Sequence, residues 1–338
     1  MRRAARIALI GLAASLFFEC TAAHGDDKAA EAVALLDRAR TLEDLRGEGA
    51  LPFVLRARIR TENDSGPLEG TYSLTWFAAN RWHEELRLGS FKRARDGVDG
   101  GYRQVRSLDF QPQSIFDVDR LLGGVLRVKL TPKETAGNAH TRKVNGVEMS
   151  CIEIRAKDSA ERGFCFDPAG GLLLHTEVRS YRGDEIEVSD FGGVATLGTK
   201  KFPTQMKLER PREKPVNVDV EELGPAPGDA SSLPAADPAR SEFWGTCNDA
   251  VPAVLTHHVA PIYPHDMNGI PENGKATVYM RVETDGTTSH LRALSAPSVP
   301  LAQAALNAVT QWKWTPELCG NTPVKVESII SVFYASRL

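Results

Sequence analysis

A chain of 338 residues is longer than one ordinary domain, and length alone favours two. Hydrophobic residues at 42% and charged residues at 25% are ordinary for a soluble globular protein. A net charge of −3 argues against nucleic acid or an anionic membrane surface as partner.

Residues 1–23 have the layout of a secretory signal. Arg2, Arg3 and Arg6 form the charged start, Ile7 to Phe18 the apolar run, and Thr21-Ala22-Ala23 a small-residue cleavage site. A membrane span needs roughly 20 apolar residues, and this run stops at Glu19. Cleavage is expected rather than a retained anchor, with lipidation at Cys20 the lesser alternative, so the protein is expected to be exported.

Ala29 to Leu45 predicts an amphipathic helix, with Val33, Leu35, Leu36, Ala39 and Leu42 on one broad face and Gly47 and Gly49 beyond its end. Strands follow. Phe53, Leu55, Ala57 and Ile59 alternate with Val54, Arg56, Arg58 and Arg60, the pattern of an antiparallel sheet with one wet side. The arginines read as a solvated face balanced by Glu69, Glu84 and Glu85. Tyr72, Leu74 and Trp76, then Trp82, Leu86 and Leu88, continue the pattern. Pro112 to Leu122 predicts a short helix ended by Gly123-Gly124. Strands are expected again at Val125–Leu130, Val147–Ile154, Gly163–Asp167, Leu172–Val178, Glu185–Phe191 and Phe202–Leu208. With no helices alternating between them, a large antiparallel sheet or barrel is expected. Gly224 to Arg240 is rich in Pro, Ala, Ser and Asp and predicts a linker over 224–241.

The last segment changes character twice. Ala276, Val278, Met280 and Val282 share one side of a strand, Asp285-Gly286 marks a tight turn, and Leu301, Ala304, Ala305, Ala308 and Trp312 recur at helical spacing after Pro300. Alternation returns in Val324, Val326, Ser328, Ile330, Val332 and Tyr334. The order strand, hairpin, helix, strand predicts a small α/β module.

Four cysteines remain after removal of a signal: Cys151, Cys165, Cys247 and Cys319. An even number in an exported chain favours disulfides, of which three pairings are possible. Cys151 and Cys165 lie on consecutive strands of one expected hairpin, while Cys247 and Cys319 flank the last module, so Cys151–Cys165 and Cys247–Cys319 are the expected pairs. The first closes a short loop, for which chain entropy predicts a contribution of about 3 kcal/mol.

Residues 255–338 resemble the C-terminal domain of the TonB energy-transducer family. The resemblance is carried by Tyr263-Pro264, the arm from Gly274 to Gly286, Trp312-Lys313-Trp314-Thr315-Pro316, and the closing strand to Phe333. It implies a module that adds an extended partner peptide to a sheet edge, with Tyr263, Pro264, Val324, Val326, Ser328, Ile330 and Val332 as partner-binding positions. Residues 29–220 resemble, through a looser set of turns, the LolA/LolB family of lipoprotein carriers: Phe164-Cys165-Phe166-Asp167-Pro168, Gly170-Gly171, Ser189-Asp190-Phe191 and Lys201-Phe202-Pro203. That resemblance implies an incomplete antiparallel barrel around helices, with a lipid or lipoprotein acyl chain in its apolar space. A filled core would give the same periodicity. The fold expected is therefore mainly β (α+β): a LolA-like domain over 29–220 and a TonB-like α/β module over 242–338.

Chemistry is sparse. His257, His258, His265 and Asp266 cluster, but adjacent histidines seldom aim at one ion, so no metal is expected. No nucleophile elbow, phosphate loop or dinucleotide fingerprint occurs, so no catalytic residue and no cofactor is expected. The expected role is a periplasmic, non-enzymatic binding or adaptor protein that docks an envelope protein through an extended peptide. The alternative is a TonB-type energy transducer for outer-membrane transport, although the short N-terminal apolar run and modest linker depart from that family's retained anchor and long spacer.

Overall fold

The structure is a computed structural model that describes residues 24–334 apart from 64, 129, 131–133, 156–159, 170, 181–183, 235–236, 248–249, 263 and 265–273. The expected signal segment lies outside the described residues. Helix α1 (His24–Glu43) leads into β1 (Phe53–Asn63), β2 (Gly66–Ala78), β3 (Arg81–Leu88), β4 (Phe91–Val98) and β5 (Gly101–Arg106). Helix α2 (Gln113–Gly123) interrupts the strands. After it come β6 (Thr135–Ala136), β7 (His140–Val144), β8 (Val147–Arg155), β9 (Glu161–Phe166), β10 (Leu173–Arg179) and β11 (Glu185–Gly192). The small hairpin β12 (Ala195–Leu197) and β13 (Lys200–Phe202) precedes β14 (Gln205–Glu209), β15 (Val216–Pro225) and β16 (Glu242–Gly245).

All of these except β12 and β13 join one antiparallel sheet of 14 strands, ordered β16-β5-β4-β3-β2-β1-β15-β14-β11-β10-β9-β8-β6 with β7 also on β8. Leu86 and Phe91 near one end share a buried cluster with Ile152 and Phe166 near the other, together with Leu36 of α1 and Ile115 and Val118 of α2. A sheet can bring such distant strands together only by curling around the helices, so the expected mainly-β class and large antiparallel sheet are what is observed.

Three local expectations change. Val125–Leu130 is not a strand: Gly124 takes a positive φ of 44° after α2, and Gly124–Arg127 forms a short 3-10 turn whose Val125 joins the core. The strand expected over Phe202–Leu208 is divided into β13 and β14 around Pro203, which has no N–H to donate to a ladder. Arg56, Arg58 and Arg60 form ion pairs with Glu222, Glu221 and Asp219 of β15, at 2.5, 2.6 and 2.6 Å, and of the expected glutamates Glu69 stands opposite Arg60 in the register of β1 with β2.

Two charged contacts hold α2 inside the curl. Arg93, fully buried, donates to both carboxylate oxygens of Asp119 at 2.6 and 2.8 Å, to Glu84 at 2.9 Å and to Gln111 at 3.0 Å. On the other side, Arg210 donates to both oxygens of Asp117 at 2.6 and 2.9 Å and to Glu187 at 2.9 Å. Residues two apart on a helix point to nearly opposite sides, so Asp117 and Asp119 fasten α2 to β14's end and to β4 at once.

Leu36 of α1 and Ile115 and Val118 of α2 pack against the apolar face of the sheet. Beside them a space of about 40 Å³ is lined by Glu43, Leu45, Phe53, Tyr72, Leu122 and Phe202. Glu43, 3% exposed, caps this space and accepts a hydrogen bond of 2.7 Å from the Leu173 backbone N–H. Burial pushes its carboxyl up to about 8, against a smaller lowering by that hydrogen bond.

Two predictions follow from these buried charges. Arg93→Met takes the hydrogen-bonded cation from Asp119 and Glu84, leaving Arg95 at 3.9 and 3.6 Å, and is expected to cost about 3–5 kcal/mol in denaturant unfolding. Glu43 binds its proton more tightly folded than unfolded, so its contribution declines as pH rises from 4.5 towards 8, at no more than ~1.4 kcal/mol per pH unit. Stability of Glu43→Gln relative to wild type, measured by denaturation across that window, is expected to increase with pH; a constant difference rules the reading out.

Candidate functional site: a free strand edge beside a polar junction

The C-terminal module comprises β17 (Val254–His257), β18 (Gly274–Val282), β19 (Thr288–Ser295), α3 (Val299–Val309), β20 (Lys313–Thr315), β21 (Glu317–Cys319), β22 (Thr322–Val324) and β23 (Val326–Tyr334). Its main sheet has the order β19-β18-β23. The turn at Gly286 is set by a φ of +78° and by the Trp314 carbonyl, which lies 2.0 Å from where a Cβ would stand. Trp312 donates from its indole to the Val259 carbonyl at 2.9 Å, and Tyr334 donates to the Leu301 carbonyl at 2.8 Å. The first of these contacts locks Trp312, one of the aromatic residues quoted for the TonB resemblance. Helix α3 ends at Val309, before the Trp312 that continues its spacing, and the chain turns into β20, which pairs with β17.

Among the described residues β23 has β18 on one side and no strand on the other. Its unpaired edge presents main-chain donors and acceptors, the requirement for strand addition. The side chains fall differently from the sequence expectation. Val326, Ile330 and Val332 pack with Val278, Met280 and Leu301 in the module's own core, and Ser328 shares their face. Val324 belongs to β22 and is 8% exposed. Pro264 is half-buried outside any strand, and Tyr263 lies outside the described residues. The four positions on β23 thus turn their side chains into the module's own core and leave their backbone at the open edge. The opposite face of β23 carries Glu327, Ile329, Ser331 and Phe333, and Phe333 is 70% exposed. Period-2 alternation could have found this second row, since Phe333 is an aromatic residue on the face away from the valines.

That second face meets the larger domain. β18 is buried on both sides: Ala276, Val278 and Met280 against α3, and Thr277, Tyr279 and Arg281 towards the concave face of the large sheet. Tyr279 lies 6.2 Å from Phe110 and 6.3 Å from Phe116 of α2. Glu327 accepts from Arg106 at 2.5 Å and from the Tyr279 hydroxyl. Glu242 of β16 accepts from Arg281 at 3.1 Å and from Lys325. Burial raises the Glu242 carboxyl but is outweighed by Lys325 and Arg281, so it is held below its ordinary value. Trp244 lies under both cations, 4.7 Å from Arg281 and 4.5 Å from Lys325, and is stacked 6.5 Å from Tyr102. Lys275 reaches Glu213 at 2.7 Å.

β16, expected to open the C-terminal module, pairs instead with β5 in the large sheet. Gly245 then runs against Val324, whose methyl lies 2.6 Å from where a Cβ would stand, so a larger residue there would push the modules apart. Both disulfides have the expected pairing. Cys151–Cys165 joins paired residues of β8 and β9, and Cys247–Cys319 joins the segment after β16 to β21.

His257 and His258 are described, but His265 and Asp266 lie outside the described residues, and no metal-binding group of three or more side chains occurs among the described residues. The His258 ring sits 4.9 Å from Trp312. No helix of the described residues is long and apolar enough to cross a membrane.

Comparisons with known proteins bear mainly on the last segment. No curated protein matches the chain. Among solved structures, it is similar to a putative outer membrane lipoprotein-sorting protein domain from Vibrio parahaemolyticus, at 11% identity over 58% of this chain and 92% of that one, with a TM-score of 0.39. It is also similar to a LolA superfamily protein from Nitrosomonas europaea, at 12% identity over 59% and 96%, with a TM-score of 0.37. The MucA/MucB complex of Pseudomonas aeruginosa overlaps at 11% identity over 90% and 94%, with a TM-score of 0.30. At these TM-scores the likenesses carry no weight for the fold, which rests on the sheet order and core above. Residues 259–335 match the family described as Gram-negative bacterial TonB protein C-terminal, so the end of this chain is similar to that family's C-terminal domain.

Proposed function

We propose that the protein is a non-enzymatic adaptor of the bacterial cell envelope that takes up an extended segment of a partner protein along the free edge of β23. The observation that carries this reading is an edge strand with an unpaired backbone inside the segment that matches the TonB C-terminal family. Edge strands are normally blunted because they invite pairing, yet this one ends in an exposed Phe333 rather than in a charge. Each main-chain hydrogen bond contributes only about 0.5–1.5 kcal/mol net, so several in register are needed for useful affinity. Side-chain selectivity then falls to the row containing Ile329, Ser331 and Phe333.

The larger domain acts as the scaffold. Its concave face holds the module through Arg106, Glu242 and the α2 aromatics. A module seated on a folded domain fits an adaptor better than a transducer that must span a compartment on a long spacer.

Peptides selected from a display library against the full chain test the proposal. Backbone N-methylation at alternate positions of a selected peptide removes donors from one edge only. Methylation on the edge facing β23 is expected to weaken binding by at least about tenfold, roughly 1.4 kcal/mol, with new amide-exchange protection confined to residues 327–334. Equal tolerance of methylation at every position, or protection elsewhere, overturns strand addition at β23.

A further inference from the structure

The two outer strands of the module's main sheet are built differently. β19 pairs with β18 through two register shifts, its His290 takes a positive φ of 50°, and α3 packs across it. Bulges and cover of this kind blunt an edge. All nine residues of β23 pair with β18 without a shift, from Val326 opposite Val282 to Tyr334 opposite Gly274. Backbone hydrogen bonds repeat along such a strand, so the backbone alone accepts a guest in several registers. The choice among them falls to the side-chain rows of β23.

Each row holds a serine between two larger apolar residues. On the α3 side Ser328 lies between Val326 and Ile330, and on the side of the large sheet Ser331 lies between Ile329 and Phe333. Val326, Ser328 and Ile330 are half-buried, and Ser331 and Phe333 are exposed. Behind them, Met280 opposite Ser328 is 0% exposed and Thr277 opposite Ser331 is 2% exposed. The gaps above the serines therefore open towards the free edge. A guest strand lies about 4.8 Å from β23, and each of its side chains meets the residue opposite and the diagonal neighbours two positions away. A bulky apolar residue opposite Ser328 leans over it and covers two half-exposed side chains, Val326 and Ile330. Opposite Ile330 it covers only that one, because its diagonals are then Ser328 and the already buried Val332. On the other face a residue opposite Ser331 covers Ile329 and Phe333, whereas opposite Ile329 its diagonals are Glu327 and Ser331. The apolar area removed from water is thus greatest opposite the two serines.

From these observations we infer that Ser328 and Ser331 set the register of the guest strand, and that the guest is an extended segment with two bulky apolar residues three positions apart. Residues three apart in a strand stand on opposite faces, so one covers Ser328 and the other Ser331. The offset is the same whether the guest runs parallel or antiparallel to β23. A slip of one residue moves the pair opposite Ile329 and Val332, or opposite Glu327 and Ile330, where less apolar surface is covered. The inference rests on the reading of β23 as the receiving edge and names the chemistry that this edge selects.

The test uses the full chain and short synthetic peptides of threonine and lysine that carry two phenylalanines two, three or four positions apart, titrated by fluorescence anisotropy. Spacing three is expected to bind about tenfold more tightly than the other two. Ser328→Leu and Ser331→Leu each fill one gap, and each is expected to bring the three spacings within about twofold of one another. Ser331 is exposed, so its variant keeps the test decisive if Ser328→Leu does not fold. Equal affinity for all spacings, no binding by any of these peptides, or a preference for three that survives Ser331→Leu overturns the inference. The reading of β23 as the receiving edge fails separately, when the selected peptide of the N-methylation experiment leaves 327–334 unprotected. Protection there without a spacing preference removes the register rule alone.

Discussion

Helix α2 lies across the hollow of the large sheet because two arginines from distant strands each grip one of its aspartates. Arg93 and Arg210 approach from opposite flanks, and each meets its carboxylate with two donors, a geometry that fixes rotation as well as position. An apolar helix face alone could slide or turn in its groove. With Asp117 and Asp119 held, Ile115, Val118 and Leu121 are committed to the core and Phe116 is turned outward to Tyr279. The seat of the C-terminal module is therefore set by charge pairs buried deep in the other domain.

On that seat, β18 becomes a central strand in two senses. It has β19 and β23 beside it, and it has α3 below and the concave face of the larger domain above. Among the described residues this leaves β23, an edge strand like β19, with its backbone open on one side while its body is held. The near end of β23 is pinned by Glu327, and its far end carries the exposed Phe333. A guest strand would thus meet a stiff template rather than a frayed one, which lowers the ordering cost of association.

Much of this was legible in the residues. Alternation gave the strands and the inward rows of β1, β2 and β23, and the turn at Asp285-Gly286 and the pairing of the cysteines followed from spacing and element order. What stayed hidden was tertiary. β15 alternates clearly at Val216, Val218 and Val220, but its last residues run into a Gly- and Pro-rich stretch, and nothing local says that it pairs with β1. Nor does a row of small and polar residues such as Thr277, Tyr279 and Arg281 announce that a second domain will cover it. The question of cavity against core was undecidable from periodicity, because both place apolar residues on the same face.

The pairing of β1 with β15 carries a consequence for how the protein is made. Phe53 stands opposite Pro225, so the middle of the large sheet is closed by residues 172 positions apart. A chain emerging from its N-terminus shows β1 to β5 first as a meander with a bare border, its Arg56 and Arg58 without their β15 carboxylates until that strand arrives. Such distant closure is slow and leaves a sticky edge open meanwhile. The growing chain thus carries a built-in interval in which a chaperone has something to hold.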